Sequence, residues 1–390
     1  MKGSTVWFVE NPTTLVHFVS YAIENKYTKH YVYLIKDEVD ISSEKNYLFR
    51  RKLISKLDNV IFLGYRNEFD SLKVTNIKLR KNYFNKEFRD IPNGAIPVFR
   101  AGSKYREIYP PWLRSMTIIH GSDEYLLATS DKKLIILRIK HFIRKVICFV
   151  DYIFNGKSIF ARNIGKKVIL KLNYESTSSK NNYLSINFDN KLIKKIYLET
   201  TRFFHKKGLE NFDNFVNDNF LIAFQPISIK PFEFSIEKVE SLYNEFMDHN
   251  INSLNNLSKL IKEPISIFVL PHPGDLRSFQ HKKMVCSDFM DDLLVKLKKK
   301  FENISSPLEY FDPHITYELP YEIIEKILKP DCLLLTHPSA TMVTSQLDAE
   351  KIYLSNYFKN KNIKYLFRKT NKLYRDLGIN LLKNKYFKLI

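Results

Sequence analysis

Two segments of the chain are built alike: Ile265-Ser-Ile-Phe-Val-Leu-Pro-His-Pro-Gly-Asp275 and Cys332-Leu-Leu-Leu-Thr-His-Pro-Ser-Ala-Thr-Met-Val343. Each places a His-Pro step directly after an apolar run that is typical of a buried strand. Between them, residues 315–328 read as a strand end followed by a helix with Pro320 in its first turn. Ligands of open α/β sheets bind at the carboxyl ends of strands, so this stretch predicts a ligand site.

The residues at these two strand ends suit a nucleotide. Ser339 and Thr341 stand at the start of a helix-compatible run, where free backbone N–H groups and the helix dipole favour a phosphate. His272 can supply a hydrogen bond or a proton to a leaving phosphate, and a carboxylate such as Glu322 suits two ribose hydroxyls. The alternative is that Ser339 and Thr341 only cap a helix.

Three motifs in this stretch resemble the donor half of bacterial sialyltransferases and polysialyltransferases, which have a GT-B fold and use CMP-sialic acid. The motifs are Pro271-His272-Pro273, Leu319-Pro320-Tyr321-Glu322-Ile323-Ile324 and the run from Lys329 to Ala340. The last motif departs from the family, which shows two adjacent hydroxyl residues, so that Thr341 would take the second role. The resemblance implies a CMP-binding set of His272, Pro273, Gly274, Glu322, Ser339, Ala340 and Thr341.

The N-terminal half opens with an α/β pattern. Thr5–Val9 predicts a strand, Glu10–Thr14 a turn, and the residues from Leu15 to Ile23 a helix with one apolar face. His30–Ile35 predicts the second strand, and no Gly-x-Gly-x-x-Gly fingerprint for a dinucleotide is present. Sialyltransferases begin similarly, with a Pro-containing turn at the cleft. This resemblance implies an acceptor-side role for Asn11, Pro12 and Thr13; the alternative is a plain loop whose Asn11, Thr13 or Thr14 caps the helix.

A second candidate site in this half follows the strand that starts at Met116. Gly121-Ser122-Asp123-Glu124 places two carboxylates in a turn, and inverting glycosyl transfer needs one carboxylate to take the proton of the acceptor hydroxyl. Relatives carry an acidic pair beside Gly for this task, but with the Gly after the acids. Asp123 is the favoured base and Glu124 the second candidate, while both can instead cap the following helix.

Composition narrows the class of partner. The chain has 390 residues with 62 Lys and Arg against 42 Asp and Glu, giving a formal net charge of +20 that attracts polyanions. No nucleic-acid-binding motif stands out, so an acidic glycan or an anionic membrane surface is favoured. The three cysteines lack metal spacing and fit a reducing cytoplasm. No signal peptide and no apolar run of membrane-spanning length is expected.

One basic apolar segment, residues 134–154, has two open interpretations. It is either a buried helix whose Lys and Arg side chains reach solvent, or a helix that lies on a membrane surface.

We therefore predict an α/β, GT-B-like fold with two Rossmann-like domains facing a central cleft. The domains are 1–205 on the acceptor side and 206–365 on the donor side, with a basic C-terminal helix in 366–390 that bridges back or associates with the membrane.

The resemblance implies an inverting glycosyltransferase that moves sialic acid, or a related nonulosonic acid, from its CMP form to a cell-surface glycan acceptor. The acceptor would be an oligosaccharide, lipooligosaccharide or capsule chain. CMP-sugar would be the donor substrate, with no cofactor, no metal and no nucleic-acid partner. We expect a cytoplasmic protein with peripheral contact to the anionic inner membrane. The alternatives are use of another nucleotide sugar (CMP-Kdo or a UDP-sugar) and a basic polyanion-binding protein without catalysis.

Overall fold

A computed structural model shows a chain of two compact units, Met1–Thr200 and Thr201–Ile390. The sequence interpretation places the boundary a few residues further along. The described residues are 3–36, 44–67, 86–118, 134–163, 166–171, 183–187 and 191–204, followed by 219–223, 237, 241, 266–270, 309–310, 318–319, 323, 332–335, 350–353 and 387–389.

The first unit is an α/β unit with one parallel sheet. Its strands are β1 (Thr5–Val9), β2 (His30–Lys36), β3 (Val60–Asn67), β4 (Ile96–Arg100), β5 (Met116–Ile118), β6 (Lys166–Lys171) and β7 (Tyr183–Asn187). The helices are α1 (Pro12–Glu24), α2 (Glu44–Ile54), α3 (Lys104–Ile108), α4 (Leu134–Asn155) and α5 (Lys191–Phe204), with a 3₁₀ helix at Ile159–Asn163. The strands lie in the order β3-β2-β1-β4-β5-β6-β7, and every neighbouring pair is parallel.

The second unit repeats this topology. Its described strands are β8 (Asn219–Ala223), β9 (Ser266–Leu270), β10 (Glu309–Tyr310), β11 (Cys332–Leu335), β12 (Glu350–Tyr353) and β13 (Phe387–Leu389). They form a parallel sheet in the order β10-β9-β8-β11-β12-β13. Both sheets therefore follow the Rossmann strand order, in which the chain starts in the middle and winds outward first one way and then the other. The predicted α/β fold, GT-B-like in having two Rossmann-type sheets in one chain, is confirmed.

Strand β1 is the centre of the first unit. All five of its residues are buried, as expected for a parallel sheet that is covered on both faces. Trp7 packs against Phe18 of α1, with ring centroids 5.5 Å apart. Phe8 points to the opposite face, where it stacks on Phe99 at 5.0 Å and contacts Tyr33 at 5.6 Å. Two aromatic clusters thus fix β1 from both sides.

A chain of hydrogen bonds links β1 to β2 and to the end of α1. Trp7 Nε1–H donates to Thr5 Oγ1 (2.8 Å), and the Thr5 hydroxyl faces His30 Nδ1 (2.9 Å). Nε2 of His30 lies 3.3 Å from the Asn25 carbonyl oxygen, which can only accept, so Nε2 carries the proton. Burial lowers the pKa of His30 and favours the neutral ring, in which Nδ1 accepts from the Thr5 hydroxyl.

Two sequence-based assignments differ from the structure. The sequence pattern predicts a helix at Tyr47–Leu57, and the structure has it as α2, which begins and ends three residues earlier, at Glu44 and Ile54. The prediction of a C-terminal helix within 366–390 is wrong at the end of that range, because Phe387–Leu389 is strand β13 and pairs with β12. Phe387 and Leu389 alternate with Lys388, a period of two that suits a strand. Residues 354–386 lie outside the described residues.

Helix α4 is not the packed helix that one interpretation expected. From Phe142 to Asn155 its buried side chains are Cys148 and Tyr152, one turn apart, and its large apolar side chains are exposed. Cys148 packs against Ala161, and the Tyr152 hydroxyl donates to the Ile108 carbonyl at 3.1 Å. In the part of the chain that the structure describes, no helix is long and apolar enough to cross a membrane.

A pH-dependent stability follows from His17, which is buried in the core on α1. Its Nδ1–H donates to the Thr13 carbonyl at 2.7 Å, and burial lowers the pKa of His17 to about 4. The unfolded chain takes up this proton near pH 6.5 and the native chain only near pH 4. Protonation therefore favours unfolding in this window, and acidification from about pH 7.5 to about pH 4.5 should cost about 2.5 kcal/mol through His17.

Urea unfolding at these two pH values should show a smaller loss of stability in His17→Gln than in the wild type. His30, whose pKa burial also lowers, is present in both proteins and acts as the internal control. Equal losses in the two proteins would contradict the assignment to His17.

Candidate functional site

The strand order of the first sheet locates a candidate site. The chain winds outward from β1 through β2 and β3, then returns to place β4 on the other side of β1. The carboxyl ends of β1 and β4 are thus the topological switch point, where open α/β sheets bind ligands. β1 ends at Val9 and is followed by Glu10, while β4 ends with Arg100 itself.

Glu10 and Arg100 form an ion pair at this switch point. Arg100 Nε donates to Glu10 Oε2 at 2.8 Å. The Arg100 side chain is 34% exposed and the Glu10 side chain is 10% exposed. The second carboxylate oxygen, Glu10 Oε1, is buried and has no hydrogen-bond partner among the described residues. A buried carboxylate oxygen with spare acceptor capacity is suited to a hydroxyl or N–H donor of a ligand.

The turn that follows β4 has a geometry that depends on glycine. Ser103 N–H donates to the Arg100 carbonyl at 3.0 Å, and Gly102 at the third turn position has φ 86°, a conformation that favours glycine. Ser103 precedes α3, but its hydroxyl makes no capping hydrogen bond. That hydroxyl is buried and, within the described part of the chain, has no hydrogen-bond partner. Ser103 thus adds a second polar oxygen to this edge of the sheet.

The Pro-containing turn after β1 is a helix cap. Asn11 Oδ1 accepts from the Thr14 N–H at 2.9 Å and from the Thr14 hydroxyl at 2.7 Å, so Asn11 is the capping residue rather than Thr13 or Thr14. Pro12 occupies the first turn of α1, and Thr13 is exposed. The first turn of α1 contains no acidic residue, so the helix leaves its positive end uncompensated by its own side chains.

The remaining predicted residues of the first unit lie outside the described residues: Gly121, Ser122, Asp123 and Glu124. They follow β5 in the sequence, and β5 ends at Ile118 beside β4. The sequence analysis did not assign Glu10, Arg100 or Ser103 to a site. A usable signal was present, because a charged residue that ends or directly follows an apolar strand marks a carboxyl edge.

The second sheet has its own switch point, between β8 and β11. The chain winds from β8 through β9 to β10 and then returns to place β11 on the other side of β8. β9 ends at Leu270 and β11 at Leu335, so both strand ends that precede the His-Pro steps flank β8 on one edge.

The predicted nucleotide residues themselves lie outside the described residues: His272, Pro273, Gly274, Glu322, Ser339, Ala340 and Thr341. Two neighbours of Glu322 are described, and both Leu319 and Ile323 are buried. Glu318 is a buried carboxylate just before them, which the sequence analysis did not select. Among the described residues, no group of three or more His, Cys, Asp and Glu side chains is arranged to hold a metal ion.

Comparison with known proteins gives a distant likeness. No protein-family model and no curated protein sequence matches the chain. A solved structure of UDP-GlcNAc 2-epimerase from Methanocaldococcus jannaschii is similar with 10% identity and a TM-score of 0.47, covering 99% of this chain and 88% of that one. A structure of the M. jannaschii epimerase in complex with UDP-GlcNAc and UDP is similar with 8% identity and a TM-score of 0.46, at the same coverage of both chains.

The ion pair at the switch point predicts an asymmetric response to substitution. Arg100→Met removes the cation and leaves the Glu10 carboxylate in a buried position, which should cost about 2 kcal/mol. Glu10→Gln should cost less, since the remaining guanidinium is partly solvated. Urea unfolding of both single variants and the double variant should give a coupling energy of about 1 kcal/mol or more.

The matched control is the exposed pair Lys56–Glu199, with Nζ and Oε2 2.6 Å apart. Lys56→Met and Glu199→Gln should each change stability much less than Arg100→Met does, because exposed pairs contribute little. If Arg100→Met were no more destabilising than Lys56→Met, the carboxyl edge would not be a desolvated site.

Proposed function

We propose that the chain is an inverting glycosyltransferase that moves sialic acid, or a related nonulosonic acid, from its CMP form to a glycan acceptor. One observation carries the proposal. The switch point of the second Rossmann-type sheet falls at the carboxyl ends of β8 and β11, and the Thr336-His337-Pro338-Ser339 segment begins where β11 ends. Both His-Pro steps thus directly follow, in sequence, strands β9 and β11, whose carboxyl ends flank β8, and this supports the proposal.

The donor half of the reaction needs a site for CMP. We assign the phosphate to His272, Ser339, Thr341 and the backbone N–H groups around them, and the ribose hydroxyls to Glu322. β9 and β11, the strands that lead into His272 and Ser339, are separated by β8 alone, a spacing of about 10 Å. That span suits a phosphate held between a His donor and a Ser donor.

The chemical step is a displacement at the anomeric carbon. The acceptor hydroxyl oxygen forms a bond to that carbon while its proton passes to Asp123 or Glu124. The bond from the anomeric carbon to the phosphate oxygen breaks, and its electron pair leaves on CMP. The phosphate donors stabilise the charge that develops on the leaving group.

The acceptor half lies with the first unit in this proposal. Asn11, Pro12, Thr13, Gly121 and Ser122 are assigned to it together with the two carboxylates. The Glu10–Arg100 pair supports a polar site on this edge, since Glu10 Oε1 offers a buried acceptor suited to a sugar hydroxyl.

Nucleotide binding tests the donor assignment. CMP at about a hundredfold its dissociation constant should stabilise the wild type by about 2.7 kcal/mol in thermal unfolding. UMP, GMP and AMP should stabilise it much less. The CMP response should disappear in His272→Ala and weaken in Ser339→Ala, because each loses a donor to the phosphate.

Ser55→Ala is the control, since the Ser55 hydroxyl donates to the Lys52 carbonyl on the exposed end of α2. It should leave the CMP response unchanged. A response to UMP alone would favour the UDP-sugar alternative. No nucleotide response together with salt-sensitive binding of polyanions would favour the non-catalytic alternative.

Turnover tests the carboxylates. Release of CMP from CMP-sialic acid in the presence of an oligosaccharide acceptor should fall by about a hundredfold or more when the base is replaced by its amide. One of Asp123→Asn and Glu124→Gln should show this loss in kcat while keeping the thermal response to CMP. Full activity in both variants would exclude this segment as the source of the base.

A further inference from the structure

Helix α4 carries a large exposed apolar surface, which we call the α4 face. Its residues are bulky and apolar, and each is at least two-fifths exposed; Phe142 and Phe154 reach 68%. The α4 face consists of Ile139, Phe142, Ile143, Val146, Ile147, Phe149, Val150, Ile153 and Phe154. A continuous exposed surface of this kind marks an interaction site.

The helical geometry makes the α4 face continuous. At about 100° per residue, the nine side chains occupy an arc of about 160° that contains no polar position. Cys148, the buried residue by which the helix packs on Ala161, is diametrically opposite the middle of this arc. The helix therefore rests on the unit along one narrow stripe and turns its apolar side outward.

Positive charges border the α4 face on both sides. Arg144 and Lys145 are exposed. Around the helix axis, they lie beyond opposite edges of the apolar arc, each within about 60° of its edge. In sequence the helix has one acidic residue, Asp151, against four basic ones, Arg138, Lys140, Arg144 and Lys145. Cations at the edges of an apolar arc are the pattern of a helix that lies in the interface of an anionic bilayer.

An exposed tryptophan extends the same surface. Trp112 is about half exposed, and its ring lies 5.6 Å from the ring of Phe149 at one edge of the α4 face. Leu113, the next residue, is also exposed. Tryptophan is enriched at the level of lipid headgroups, because its ring is apolar while its N–H is polar.

We propose that the α4 face binds the surface of a lipid bilayer that contains anionic lipids, with the helix lying flat in the headgroup region. Charge decides between a bilayer and a second copy of this chain. Two copies that paired through this face would bring Arg144 and Lys145 of each towards the same cations of the other, and such a juxtaposition of like charges is unfavourable. A bilayer with anionic headgroups supplies the opposite charge along both edges.

Vesicle sedimentation of the full chain tests the proposal. The protein should bind vesicles of phosphatidylcholine and phosphatidylglycerol in equal amounts much more strongly than vesicles of phosphatidylcholine alone. Phe142→Gln/Phe154→Gln should lower the partition coefficient by about tenfold or more, since both rings leave the apolar phase. Arg144→Gln/Lys145→Gln should lower it by about fivefold per cation on anionic vesicles and little on neutral ones.

Leu48→Gln/Phe203→Gln is the matched control, because it removes two exposed apolar side chains of α2 and α5 outside the α4 face. Its partition coefficient should equal that of the wild type. Since the substituted side chains of α4 are exposed, thermal unfolding should be unchanged in both α4 variants. The response to CMP should also be unchanged, which keeps this test separate from the proposed transferase activity.

Intrinsic fluorescence reports the same event at Trp112. The chain has two tryptophans, and Trp7 is buried in the core. Anionic vesicles should therefore shift the emission to shorter wavelength through Trp112, and Trp112→Phe should abolish the shift while most binding remains.

Two results would overturn the proposal. One is wild-type protein that stays in solution with anionic vesicles. The other is an α4 variant that binds as the wild type does. A wild-type dimer that Phe142→Gln/Phe154→Gln converts to a monomer, without vesicle binding, would assign the α4 face to a second copy instead.

Discussion

The burial of β1 on both faces is the constraint on which the first unit depends. Because Trp7 and Phe8 are buried and point to opposite sides, both faces of the sheet must be covered, and the sheet extends from β1 in both directions. That growth creates the switch point beside β1. The position of Glu10 and Arg100 at the switch-point edge is thus a consequence of the central place of β1 in the sheet, and the second sheet has the same strand order around β8.

Local pattern was enough to predict much of this fold. The spacing of apolar residues and the nearby turn residues predict three elements to within a few positions. These are the strand Thr5–Val9, the capped helix after it and the strand before His272. The Glu10–Arg100 pair could not be predicted in this way, because it joins residues ninety positions apart through the pairing of β1 with β4. The apolar arc of α4 was equally visible in sequence, yet amphipathicity indicates that a face is covered and does not say by what.

The candidate site and the α4 face are joined by a short structural path within the first unit. The turn at Arg100–Ser103 leads directly into α3, whose last carbonyl, that of Ile108, accepts the hydrogen bond of Tyr152 on α4. The Glu107 carbonyl in α3 also accepts from the Ser158 N–H, just after α4. A helix of five residues thus connects the turn at the switch-point edge to the helix that carries the α4 face.

Cys148, the single cysteine of α4, offers a chemical measure of how often this helix separates from the rest of the unit. Cys148 is buried where the helix rests on Ala161, and burial raises the pKa of its thiol, so the reactive thiolate is scarce while the helix is seated. An alkylating reagent can reach the sulfur only when α4 lifts away from the unit. The labelling rate of Cys148 therefore measures the free energy of this local opening, which global unfolding does not report.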